Sequence, residues 1–138
     1  MNDALAGEHP QRLPDFGDEA VRRRLGPAAL EFFTRIMRIW QAPGIESRQL
    51  LGLAPGTKIE NLDPEMLSEE QLLRISCLIG IYKALHICSG EALADRWVGL
   101  RNTNVLFAGR SPLEYMAQGG LDALRKVRKL VDARRAGN

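Results

Sequence analysis

The stretch from Ser68 to Cys88, SEEQLLRISCLIGIYKALHIC, sets the terms for the rest of the chain. Ser68 followed three residues later by Gln71 is a capping-box signature, so a helix start is specified there. Leu72, Ile75, Ile79 and Leu85 recur near helical spacing. Leu73, Leu78, Ile81, Tyr82 and Ile87 widen that stripe until it can be buried on more than one side only. At a rise of about 1.5 Å per residue the helix spans roughly 30 Å, the diameter of a small domain. Glu69, Glu70, Arg74 and Lys83 interrupt it, so it reads as the central helix of a core and not as a membrane span.

A chain of 138 residues with 26% charged residues has room for one core. Cys77 and Cys88 lie in the same predicted helix, about 16 Å apart by helical rise, which is beyond disulfide reach. They read as reduced core residues. With no apolar leader at the N-terminus, the expectation is a cytoplasmic protein.

Around the hub, residues 1–16 lack a period and read as a loose arm. Asp18 to Leu25 predicts a short helix that stops at Gly26, with Arg22, Arg23 and Arg24 on a solvated face or meeting an acidic partner. Pro27 suits the first position of the next helix, whose stripe is Leu30, Phe33, Met37 and Trp40. Ala42-Pro43-Gly44 ends it. Ile45 to Leu53 and Thr57 to Leu62 then predict two short helices joined by Ala54-Pro55-Gly56, which is the outline of a helix-turn-helix. Its candidate DNA contacts are Arg48, Thr57, Lys58 and Asn61. Glu46, Glu60, Asp63 and Glu65 oppose them, and a purely structural helical hairpin fits the same residues.

Beyond the hub, Glu91 to Val98 predicts a short helix with Leu93 and Trp97 on one face. Gly99 to Arg110 follows as an irregular loop, held to the core through Val105, Leu106 and Phe107. Ser111-Pro112-Leu113-Glu114 is a second capping box. Gly119-Gly120 closes that helix, and a last one runs from Leu121 to Arg135 with Leu121, Leu124, Val127 and Val131 buried. Arg125, Lys126, Arg128, Lys129, Arg134 and Arg135 face only Asp122 and Asp132 there, a local charge of +4 in a chain whose net charge is +2. A solvated basic face and a surface for an anionic partner both account for it.

The residues show no catalytic constellation. His86 and Cys88, two apart on a helix, do not share a face and make no metal pair, and His9 lies in the arm. No phosphate-binding glycine motif and no nucleophile elbow occurs. The expectation is a protein that is not an enzyme and carries no cofactor or metal.

One longer pattern adds to this reading. Trp97, Asn102, Phe107-Ala108-Gly109-Arg110-Ser111-Pro112-Leu113, Gly119-Gly120 and the closing amphipathic helix occur in an order that resembles the toxin-binding domain of the Xre/MbcA/ParS antitoxin family. The hub resembles the helix that precedes that domain. The resemblance implies an all-α, compact helical bundle with an N-terminal arm and short helix (1–25), a helix-turn-helix-like DNA-binding region (26–66) and a toxin-binding domain (67–138) around the central helix 68–88. It implies a type II antitoxin that blocks the NAD site of a RES-domain, NAD-consuming toxin. It also implies a homodimer that binds its own operon's promoter. Mapped onto this chain, the toxin contacts would be Arg101, Asn102, Phe107, Arg110, Arg128, Arg134, Arg135 and Asn138. The family's reading helix is rich in Arg, Ser and Thr, whereas this chain has APGTKIENL at that place. A stand-alone helix-turn-helix regulator and a helical adaptor are the competing readings.

Overall fold

The computed structural model describes residues 13–137. Asn138, and the part of the arm that carries His9, lie outside them. Among the described residues there are five α-helices and no strand: α1 (Glu19–Ile39), α2 (Gly44–Leu51), α3 (Glu69–Ser89), α4 (Glu91–Trp97) and α5 (Pro112–Arg135). Three 3-10 turns, Ile59–Asn61, Pro64–Met66 and Val105–Phe107, punctuate the connections.

The hub is α3, and it packs against each of the other four helices. Ser68 caps it, with its hydroxyl accepting from the Gln71 amide at 3.1 Å while the Gln71 side chain accepts from the Ser68 amide at 2.8 Å. Leu72, Ile75, Leu78, Ile79, Ile81, Ala84 and Leu85 are buried around more than half its circumference. Full burial of one such Leu or Ile contributes about 1.5–3 kcal/mol. By length and hydropathy this helix alone among the described residues could cross a membrane. Its apolar faces are instead occupied by α1 and α5.

The first helix departs from the sequence expectation. Gly26 and Pro27 do not separate two helices; both lie inside α1, which runs unbroken for 21 residues from an Asp18 cap. Gly26 is buried where the chain crosses back at Pro64, and a Cβ there would overlap the Pro64 carbonyl. That close crossing, which no local pattern reveals, decides the residue type. Pro27 is exposed, and the helix accepts its missing amide because Ala29, Leu30 and Phe33 anchor the next turn in the core. Nor are the last residues of the arm loose: Phe16 is buried, and Arg22 donates to the Phe16 and Gly17 carbonyls at 2.9 and 3.0 Å. Arg22 therefore ties the arm down, whereas Arg23 and Arg24 are exposed.

The second helix of the expected helix-turn-helix is also missing. Thr57 does not cap an α-helix. Residues 57–62 form one 3-10 turn from Ile59 to Asn61, flanked by extended Lys58 and Leu62. Six residues offer too little apolar surface to offset the ordering of a helix, and Ile59 and Leu62 turn toward α1 and are half-buried instead. The segment 53–67 runs as a strap that meets α1 at the Pro64–Met66 turn.

The C-terminal half follows the sequence more closely. Ser111 and Glu114 form the expected reciprocal cap, at 3.1 and 3.0 Å. The break at Gly119-Gly120 is a kink inside α5, made by Gly120 at φ 69°, ψ −155°, a conformation open to glycine. Val105 is the exception in the loop, pointing outward at 93% exposure while Phe107 is fully buried. Cys88 is exposed rather than in the core. Cys77 is half-buried against α5, and burial pushes its thiol above the usual range.

Candidate recognition surface

Four aromatic and cationic contacts join the end of α4, the following loop and both halves of α5. The Arg134 guanidinium lies 5.5 Å over the Trp97 ring. Trp97 meets Phe107 edge-on at 5.9 Å, and Phe107 meets Tyr115 edge-on at 5.4 Å. Arg110 lies 5.2 Å over the Tyr115 ring. The result is a ladder, Arg134–Trp97–Phe107–Tyr115–Arg110, with a cation at each end and a buried ring in the middle. Edge-to-face packing suits the quadrupoles of the rings, and each arginine sits on the electron-rich face that attracts it.

Local chain chemistry fixes the ladder's parts. Asn102 accepts from the Asn104 amide at 2.9 Å, and Asn104 accepts from the Leu106 amide at 2.9 Å. Together they shape the turn that drives Phe107 inward. Ala108 and Gly109 then take left-handed conformations and reverse the chain. The Leu113 amide donates to the Val98 carbonyl at 2.9 Å, which clips the start of α5 to the end of α4. Arg110 donates to the Phe107 carbonyl at 3.1 Å and to Gln118, so its ring contact is held from two sides.

The residues mapped by resemblance thus divide into groups. Arg110, Phe107 and Arg134 belong to the ladder, Phe107 as its buried post and not as a partner contact. Asn102 shapes the loop. Arg101 is exposed beside the α5 cap, where its charge and that of Arg110 act on Glu114. Arg135 is exposed at the end of α5. Arg128 stands apart, since its guanidinium lies over Gly80 of α3 and pairs with Asp132 at 3.1 Å, a packing role. Tyr115 was missed from sequence because one aromatic in a capped first turn has no signature of its own. Leu93 and Leu100 are exposed apolar neighbours of Trp97 in sequence, and they extend this surface with groups that gain from being covered.

The four DNA candidates lie on α2 and the strap, with no second α-helix between them. Arg48 and Lys58 both line a cleft between α1 and the strap. Thr57 is half-buried in the turn it closes with Ala54, and Asn61 is exposed at the end of the 3-10 turn. Among the described residues no group of three or more His, Cys, Asp or Glu side chains is placed to hold a metal. The ladder and its rim present arginines, partly exposed aromatic carbon and aliphatic carbon.

The fold is a small helical bundle, and one of its surfaces carries the aromatic–arginine ladder. The chain belongs to the same family as the uncharacterized protein y4oB of Sinorhizobium fredii (strain NBRC 101917 / NGR234). The two are 35% identical over 115 residues, which cover 80% of this chain and 87% of that protein. No family model matches the chain, and no solved structure matches it.

Proposed function

We propose that this protein is a type II antitoxin that binds and inhibits a RES-type, NAD-consuming toxin through the Trp97–Tyr115 ladder and the basic end of α5. The observation that carries the proposal is the Arg134–Trp97 contact. It puts two segments that are far apart in sequence, and that the antitoxin resemblance marks independently, onto one surface. Arg101, Arg110, Arg134 and Arg135 give that surface cations for acidic groups around an NAD site, while Leu93 and Leu100 supply apolar area. Inhibition would be steric, with the end of α5 filling the cleft, and it requires no catalysis by this chain. Promoter binding by a homodimer is a separate part of the proposal. It would have to use residues 45–62 without a second α-helix.

The test is co-expression with the RES-type toxin from the same operon, scored by growth and cellular NAD. Deleting residues 134–138 removes no buried side chain among those described, since the buried stripe of α5 ends at Val131. The truncated protein should stay folded and fail to protect NAD. If it protects as fully as the intact chain, the end of α5 does not block the site.

A further inference from the structure

The segment that sequence reasoning assigned to a reading helix instead leaves a cleft of about 860 Å³ between α1 and the strap. That volume lies in the range of about 300–1,000 Å³ typical of small-molecule sites. Leu30, Phe33 and Met37 of α1, all buried, line one wall, and half-buried Ile59 and Leu62 come from the strap. Arg48 from α2 and Lys58 from the strap also line it.

Arg48 is the anomaly. Five arginines are half-buried among the described residues: Arg22, Arg48, Arg74, Arg110 and Arg128. Arg22 donates to two carbonyls, Arg74 to Glu70 and two carbonyls, Arg110 to a carbonyl and Gln118, and Arg128 to Asp132. Arg48 has no hydrogen bond and no ion pair to any described residue. Its nitrogens stay within reach of water, so the guanidinium is open to a ligand, and a carboxylate pairs with it better than any neutral group. The cleft's own carboxylates do not fill the role. Glu31 is mostly exposed and pairs with Arg35 at 3.5 Å, and Glu60 is exposed.

We infer that this cleft binds a small amphipathic carboxylate, with an apolar body against Ile59, Leu62 and the uncovered edge of Leu30 and a carboxylate held by Arg48 and Lys58. The inference does not rest on the antitoxin reading.

The experiment is calorimetric titration of the full chain with three matched probes: 2-naphthoate, 2-naphthylmethanol and 2-naphthylmethylammonium. The expected order places 2-naphthoate about tenfold or more ahead of the alcohol, a difference of ~1.4 kcal/mol, with the ammonium weakest. Arg48→Gln, checked for fold by circular dichroism, should reduce 2-naphthoate to the level of the alcohol and leave the alcohol unchanged. Ile59→Trp, which fills the cleft from a half-buried position, should weaken both. The inference is overturned if none of the probes binds the wild type, if the three bind alike, if the ammonium leads, or if Arg48→Gln keeps the carboxylate preference.

Discussion

Nε2 of His86, near the end of α3, lies 3.0 Å from Oδ1 of Asp95 in α4. The pair has the closeness of an ion pair without the angle of a hydrogen bond, and both atoms are shielded from water with no other partner. The far side of the ring is already committed, because Nδ1 donates to the Tyr82 carbonyl at 2.8 Å. The His86–Asp95 contact holds α4, and with it Trp97, against the hub.

Removing one partner should therefore loosen α4 selectively. Asp95→Ala removes the carboxylate that faces the shielded ring nitrogen and should cost about 1–3 kcal/mol. Hydrogen exchange should accelerate across Glu91–Trp97 while the middle of α3 stays protected. The double variant His86→Ala/Asp95→Ala should recover part of the loss. Unchanged exchange in α4 would show that the pair does not anchor it.

The crossing at Gly26 makes a second prediction. Gly26→Ala adds a methyl where the Pro64 carbonyl already sits and should destabilise by about 1–3 kcal/mol, measured by urea unfolding. Gly44→Ala, at the open start of α2, is the control and should be close to neutral. Equal effects at the two sites would mean that the strap does not press on α1.

The α5 cap should be legible in acid. The amide and then the hydroxyl of Ser111 hold the Glu114 carboxyl below the usual glutamate range. A depressed carboxyl stabilises the fold above its unfolded pKa, near ~4.3, and loses that contribution as pH falls through the lower folded value. Wild type and Glu114→Ala should differ in melting temperature at pH 6, and the gap should close as the pH drops below about 4. A gap that persists in acid would assign the effect to something other than the ionised cap.

At the aromatic ladder, Arg134→Ala and Arg135→Ala remove the same charge, but only Arg134 covers Trp97. In a Trp40→Phe background, the emission of Trp97 should shift with Arg134→Ala and not with Arg135→Ala. The stability cost of losing the cation–π contact should be about 0.5–1 kcal/mol. Identical spectra for the two variants would remove Arg134 from the ladder.

Some parts of this structure could be read from neighbouring residues. Both capping boxes, the buried stripes of α3 and α5 and the break at Gly120 depend on groups within four residues of one another, which is the range over which a helix reports on itself. The failures lie elsewhere. Gly26-Pro27 has the local grammar of a boundary, yet α1 passes through it because Pro64 needs the space above Gly26. Ile59 and Leu62 have helical spacing, yet too few residues surround them to sustain a helix. Tyr115, Asp95 and Arg134 gain their roles from rings and charges more than a helical turn away.

By itself the sequence determined an all-helical bundle around residues 68–88, because an apolar stripe that wide needs other helices on several sides. It also set the cap positions and the cationic end of α5. Only the tertiary structure decided that Trp97, Phe107 and Tyr115 stack into one ladder between two arginines. It also decided that residues 57–62 form a strap over a cleft, and that Arg48 is left there without a partner. The physical reason is range. Periodicity and capping act within one or two helical turns, whereas ring stacking, steric exclusion at Gly26 and the cleft beside Arg48 exist only after distant segments have met.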